Sequence, residues 1–182
     1  MSFTNIEIKA RTESTGAIRQ YLVDHGAEFR GLDLQTDTYF RVVAGRLKLR
    51  EGNIENSLIF YNRPNTAGLK QSDFELLPVT NGTALKHILT KAIGVKAIVE
   101  KRREIYYIKN VKFHLDVLEK IGSFVEIEAT NMNGDLSVDQ LREQCSFYML
   151  AFGISASDLV AGSYSDMILG NYVTDNYMTL SF

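Results

Sequence analysis

Polar and charged residues recur two positions apart along this chain, and in several segments they alternate with apolar ones. Glu7 and Lys9, Lys48 and Arg50, Tyr61 and Arg63, Lys70 and Ser72, Lys101 and Arg103, His114 and Asp116, and Glu126 and Glu128 all keep this spacing. Successive side chains of a strand point to opposite faces, so both members of each pair share one face. Ile6 and Ile8, or Leu47 and Leu49, supply the other. A period of two is the pattern of a strand and not of a helix. The chain must therefore fold into a sheet with one strongly charged side.

The pattern places strands at 3–11, 34–43, 46–51, 56–63, 70–78, 95–108, 111–118 and 123–130. Ala44-Gly45, Gly52-Asn53 and Lys109-Asn110 read as turns between them. Helical periodicity appears at 14–26, 82–93 and 136–152, the last with Ser137 and Gln140 as a capping pair. In the tail, 164–169 reads as a short helix and 177–182 as a further strand. Short turns between successive strands imply antiparallel pairing. The expected fold is α+β: a closed eight-stranded antiparallel β-barrel with helices packed outside, its lumen just wide enough for one small ligand.

No linker or repeat divides the 182 residues, so 1–182 reads as a single domain. The net charge of -2 gives no global pull toward nucleic acid or an anionic membrane. No stretch approaches a membrane span, and residues 1–9 carry no secretory pattern. A lone cysteine, Cys145, rules out an internal disulfide framework and reads as a small buried hydrophobe on a helix. These features fit a cytoplasmic protein.

Two readings of the charged faces are open at this point. Antiparallel sheets commonly keep one solvated face, where mixed charge needs no function. Alternatively, the amphipathic helices cover an apolar outside and the charges line the lumen. The charges sort by segment: the middle strands are basic, the last two strands acidic and the first mixed. Turning Lys9, Lys48, Arg50, Arg63, Lys70, Lys101 and Arg103 inward demands compensation, because like charges 4 Å apart repel by about 4 kcal/mol at an effective dielectric of about 20. Glu7, Asp116, Glu126 and Glu128 compensate in part, and a polyanion carrying Mg²⁺ completes the balance. Carboxylates suit a hard cation, while Arg and Lys suit phosphate oxygens.

The order of motifs resembles the CYTH superfamily of triphosphate tunnel metalloenzymes. The resemblance rests on Asn5-Ile6-Glu7-Ile8-Lys9, Asp37-Thr38-Tyr39-Phe40, Leu47-Lys48-Leu49-Arg50, Phe60-Tyr61-Asn62-Arg63-Pro64 and Lys70-Gln71-Ser72. It continues in Val99-Glu100-Lys101-Arg102-Arg103, His114-Leu115-Asp116, the run from Gly122 to Glu128, and Gly162-Ser163-Tyr164-Ser165-Asp166. Within that superfamily the pattern is similar to the class IV adenylyl cyclase-like branch. The resemblance implies a triphosphate lying along the tunnel, with phosphate oxygens on Lys48, Arg50, Arg63, Lys70, Lys101 and Arg103. It implies one or two Mg²⁺ or Mn²⁺ ions on Glu7, Asp116, Glu126 and Glu128, and Lys9 as the residue that orients the triphosphate or activates a nucleophile. It admits a homodimer, for which the residues define no interface.

The implied reaction is conversion of ATP to cyclic AMP and pyrophosphate, with hydrolysis of an inorganic or organic triphosphate (such as thiamine triphosphate or a nucleoside triphosphate) as the alternative. Asn5 stands where the family signature has Glu, offering an amide oxygen without charge. That departure motivates a third reading, a non-catalytic module binding a triphosphate or polyphosphate. His114 could serve as a base or a ligand and is read first as a structural, hydrogen-bonding residue, Glu100 as facing away from the site, Tyr106 and Tyr107 as packing, and His25 and His87 as surface residues.

Overall fold

The computed structural model describes residues 2–62, 65–131 and 135–177, with side chains for all of these except 2–4, 73 and 171–177. The chain runs β1 (Ser2–Arg11), α1 (Thr15–Asp24), β2 (Glu28–Phe40), β3 (Arg46–Glu51), β4 (Ser57–Asn62), β5 (Lys70–Pro78), α2 (Gly82–Ile93), β6 (Val95–Ile108), β7 (Val111–Leu118), β8 (Gly122–Thr130), α3 (Val138–Ala151), a 3-10 turn at Ala156–Asp158 and α4 (Tyr164–Tyr177). The strands close into an antiparallel barrel in the order β1-β5-β4-β3-β2-β6-β7-β8. The expected eight-stranded barrel is therefore the observed one. Several expected bounds match, including those of β3, β5, β6 and β7.

β2 departs from expectation. It begins at Glu28 rather than 34, because Glu28 to Leu32 already pairs with Tyr107 to Glu104 of β6. Alternation fails there because the register shifts between Phe29 and Gly31, a bulge. Gly31 has φ +133°, and a Cβ on it would lie 2.9 Å from the Ile54 side chain. α4 also runs on past the expected 164–169. The strand expected at 177–182 lies outside the described residues apart from Tyr177, which ends α4.

Packing explains which way the faces turn. The apolar side of β1, β7 and β8 (Ile6, Ile8, Phe113, Leu115, Val125, Ile127) packs outward against Ile18 and Leu22 of α1 and Leu141 and Cys145 of α3. Ser137 and Gln140 form the expected capping box at the start of α3. Burial of about 1.5–3 kcal/mol per large apolar side chain fixes those helices outside and leaves the charged face inside. The far side is more open. α2 fully buries none of its residues, and Leu34, Phe60 and Leu77 are exposed on the barrel exterior.

At one end the inward face turns apolar. Tyr39, Val99, Leu118 and Phe124 share a face with charged residues two positions along their strands, and with Ala97 they pack against Tyr164 at the start of α4. This cluster fills that end of the barrel. Among the described residues, no helix is long and apolar enough to cross a membrane.

Candidate active site

Above the apolar plug the lumen holds a cavity of about 580 Å³. That is within the size range of small-molecule sites. Glu7, Lys9, Lys48, Arg50, Lys101, Arg103, Glu126 and Glu128 all line it, so the structure brings together most of the residues that the i, i+2 pattern singled out. Arg63 lies outside the described residues. Lys70 and Asp116 go elsewhere, as described below.

The phosphate-binding candidates gather on one carboxylate. Asp37 of β2 accepts from Lys48 Nζ at 3.0 Å, from Arg50 Nε and Nη2 at 2.9 and 3.0 Å, and from Lys101 Nζ at 2.7 Å. The register produces this convergence: Asp37 faces Arg50 across β2–β3, and Gln35 faces Lys101 across β2–β6. Burial pushes the Asp37 carboxyl up, but Arg50, Lys101 and Lys48 together outweigh it and hold it well below the carboxylate range. One carboxylate for three cations leaves a local surplus of positive charge. Burial lowers Lys48 to about 8, against the pull of Asp37, with Arg50 and Arg103 adding to the fall. Lys101 moves the same way, lowered by burial and by its cationic neighbours.

Glu55 makes a second bridge. It sits in the turn after β3, yet it accepts from Arg50 Nη1 at 2.9 Å and from Lys112 of β7, so it spans the barrel. Asp33 shapes this turn by accepting the Ile54 and Glu55 amides at 2.9 and 3.0 Å. Gly52 lies so close that a Cβ there would come 2.5 Å from an Asp33 oxygen, so a larger residue would have to displace the carboxylate that holds this turn.

On the opposite wall, Arg103 donates to both oxygens of Asp116 and to Glu126 Oε2 at 2.6 Å. Tyr164 donates to Asp116 at 2.7 Å. Asp116 therefore holds Arg103 and the plug, and does not join the other acids. Lys9 Nζ lies 2.7 Å from Glu126 Oε1 and 3.6 Å from the centre of the Tyr164 ring. Burial pushes Glu126 up, and Lys9 and Arg103 overcome it and hold it well below the carboxylate range. His114, Glu126 and Glu128 bring their ligand-capable atoms within 4.8 Å of one another. Asn5 lines the same cavity, and its buried Oδ1 has no hydrogen-bond partner among the described residues. Two carboxylates, an imidazole and a buried amide oxygen form a donor set that fits a divalent cation.

Lys70 keeps its place opposite Glu7 in the β1–β5 register. Its ammonium donates to the Val160 and Ala161 carbonyls at 2.6 and 2.8 Å, and it is not among the cavity-lining residues. Glu100 is exposed on the outer face, and Tyr106 is packed in the core, both as expected. Tyr107 instead lines the cavity, because the alternation of β6 turns it inward. Asp37, Glu55 and Lys112 were not singled out by the pattern, and they correct the expected charge layout. The basic wall carries two carboxylates of its own, so its cations are compensated in part within the protein.

The comparisons with known proteins agree with this architecture. Residues 4–164 match the CYTH domain, and the chain belongs to that family. A Methanocaldococcus jannaschii protein named "Putative adenylate cyclase" is 22% identical over 174 residues, covering 89% of this chain and 97% of its own. A Pyrococcus horikoshii OT3 protein superposes with a TM-score of 0.74 at 23% identity, covering 89% of this chain and 98% of its own. A Hippeastrum protein, described as an adenylyl cyclase candidate that reveals a dominant triphosphatase activity, superposes with a TM-score of 0.58 at 14% identity, covering 91% of this chain and 94% of its own. At these identities the structural likeness is one of fold.

Proposed function

We infer that this protein is a divalent-metal-dependent enzyme that converts a triphosphate inside its barrel, in the class IV adenylyl cyclase manner, from ATP to cyclic AMP and pyrophosphate. The observation that carries this reading is the pair of opposed walls around one cavity: Lys48, Arg50 and Lys101 gathered on a single carboxylate, facing the His114, Glu126 and Glu128 group. Family membership and the name of the archaeal relative support the cyclase assignment.

In this reading the three cations exchange Asp37 for phosphoryl oxygens, and Arg103 contributes a guanidinium held in place by Asp116. Lys9, held by Glu126, donates to the phosphate at which bond exchange occurs. Glu7, Glu126 and Glu128 hold the cation, which when bound supplies positive charge against the phosphate oxygens. Phosphoryl chemistry depends chiefly on such positioning and charge stabilisation. The ribose 3′-oxygen bonds to the α-phosphorus, the bond from that phosphorus to the bridging oxygen breaks, pyrophosphate leaves with the electron pair, and the hydroxyl proton passes to water.

Hydrolysis is the second reading, and the Hippeastrum protein's described activity favours it, since the same fold carries it there. Product analysis separates the two. The protein is incubated with ATP, and separately with inorganic triphosphate, with Mg²⁺ or Mn²⁺. Cyclic AMP with pyrophosphate is the expected result. Orthophosphate release instead assigns the triphosphatase, and metal-independent binding without turnover assigns the binding module.

The basic wall also predicts a pH dependence. Lys48 is protonated below about 8 and loses its charge above it. Affinity for inorganic triphosphate should hold steady up to that pH and then fall, approaching about tenfold per pH unit. Lys48→Ala should weaken binding by about tenfold at pH 7, from loss of one charge-assisted hydrogen bond. Calorimetric titration across pH 7 to 10 reads both, and a flat profile would remove Lys48 from the binding wall.

A further inference from the structure

His114 stands directly opposite Glu126 in the β7–β8 register, where the wall passes from basic to acidic. Its Nδ1 makes a 3.2 Å hydrogen bond to Glu126 Oε2 and lies 3.6 Å from Glu128 Oε1. Two donors about 2.1 Å from one cation, at right angles to each other, lie about 3 Å apart. The nitrogen and the two oxygens are thus spaced much as neighbouring ligands of a single ion would be. Charge balance does not explain the arrangement, because Glu126 already has Lys9 and Arg103.

The ring itself is free to present that nitrogen. The imidazole is 1% exposed, and its Nε2 has no hydrogen-bond partner among the described residues. Which imidazole nitrogen carries the proton is set by the bond the other makes. With no acceptor or donor fixing Nε2, the proton can move there, and the hydrogen bond that Nδ1 makes to Glu126 is exchanged for a bond from its lone pair to the cation. We propose that His114 Nδ1 is a direct ligand of the divalent cation held by Glu126 and Glu128, which makes this a mixed nitrogen–oxygen site for a first-row transition ion. The proposal rests on the metal-dependent reading above. Carboxylates alone suit Mg²⁺ as well as Mn²⁺, whereas imidazole favours transition ions. The site therefore takes Mn²⁺ in preference to Mg²⁺.

The test is pulsed electron paramagnetic resonance on the full chain with Mn²⁺ added, without nucleotide. The expected spectrum shows coupling to a directly bound nitrogen, and its pattern changes when the protein carries ¹⁵N-histidine. That measurement uses the wild-type chain, so it does not depend on a variant folding. His114→Gln should abolish the coupling and weaken Mn²⁺ binding by about tenfold or more, with a smaller change for Mg²⁺. Bound Mn²⁺ without nitrogen coupling overturns the proposal and leaves the carboxylate site standing. Coupling that survives in His114→Gln also overturns it, by assigning the nitrogen elsewhere. Absence of any Mn²⁺ binding at millimolar concentration removes both this proposal and the metal-dependent reading.

Discussion

Asp37→Ala is expected to destabilise the protein by about 3–5 kcal/mol, the usual cost of removing one partner from a buried ion pair. For a chain of this size that lowers the melting temperature by roughly 6–20 °C. The size of the effect follows from the convergence: Lys101 is 0% and Arg50 8% exposed at the side chain, and both lean on a carboxylate that is 1% exposed. Without it, three cations face one another, with Glu55 left to Arg50. Asp37→Asn keeps the shape and one acceptor oxygen, so it should fall between wild type and Asp37→Ala. Inorganic triphosphate should rescue the melting temperature more in the variants than in the wild type, since its oxygens take over the vacated role. Thermal unfolding with and without the anion measures both. An unchanged melting temperature in Asp37→Ala would mean that the three cations are not held by that residue.

The two acids of β8 should separate catalysis from folding. Glu128→Gln is expected to reduce metal-dependent turnover by about 10²–10³, the usual cost of losing one preorganised electrostatic contact in a transition state. Its side chain is 22% exposed and lies 3.6 Å from His114 Nδ1, so stability should change by less than about 1 kcal/mol. Glu126→Gln should lose turnover to a similar degree and also cost stability, because its carboxylate holds Lys9 and Arg103. Turnover and melting curves on the two variants side by side decide the matter. If Glu128→Gln kept full turnover, that carboxylate would have no part in the site.

Most of the barrel was legible because a period of two is unambiguous where charged and apolar residues alternate strongly, as in β3 and β7. It was hard to read in β2. There Asp33, Gln35, Asp37 and Tyr39 point inward, but Thr36 and Thr38 between them are weak markers of an apolar face. The hub of the basic wall was hidden for that reason. Glu55 was hidden for another: nothing in the spacing of a short turn shows that it reaches Lys112 across the barrel. Lys70 and Asp116 lie on the expected strands. Partners beyond strand periodicity decide their final positions, namely the carbonyls of 160–161 and the Tyr164 hydroxyl.

The position of β1 has a consequence for how the molecule assembles. β1 finds its strand partners in β5 and β8, through contacts such as Glu7 with Lys70 and Glu7 with Glu128, and adds one bridge from Ala10 to Leu159. No hairpin can hold it while the middle of the chain is being synthesised, so ring closure waits for the segment that ends at Thr130. Such distant pairings carry a large loop-closure cost and place folding in the slow, millisecond-to-second regime. The acidic wall is built from the seam strands β1, β7 and β8, so the proposed metal site can form only once that last seam has zipped, and metal binding would then report the final folding step.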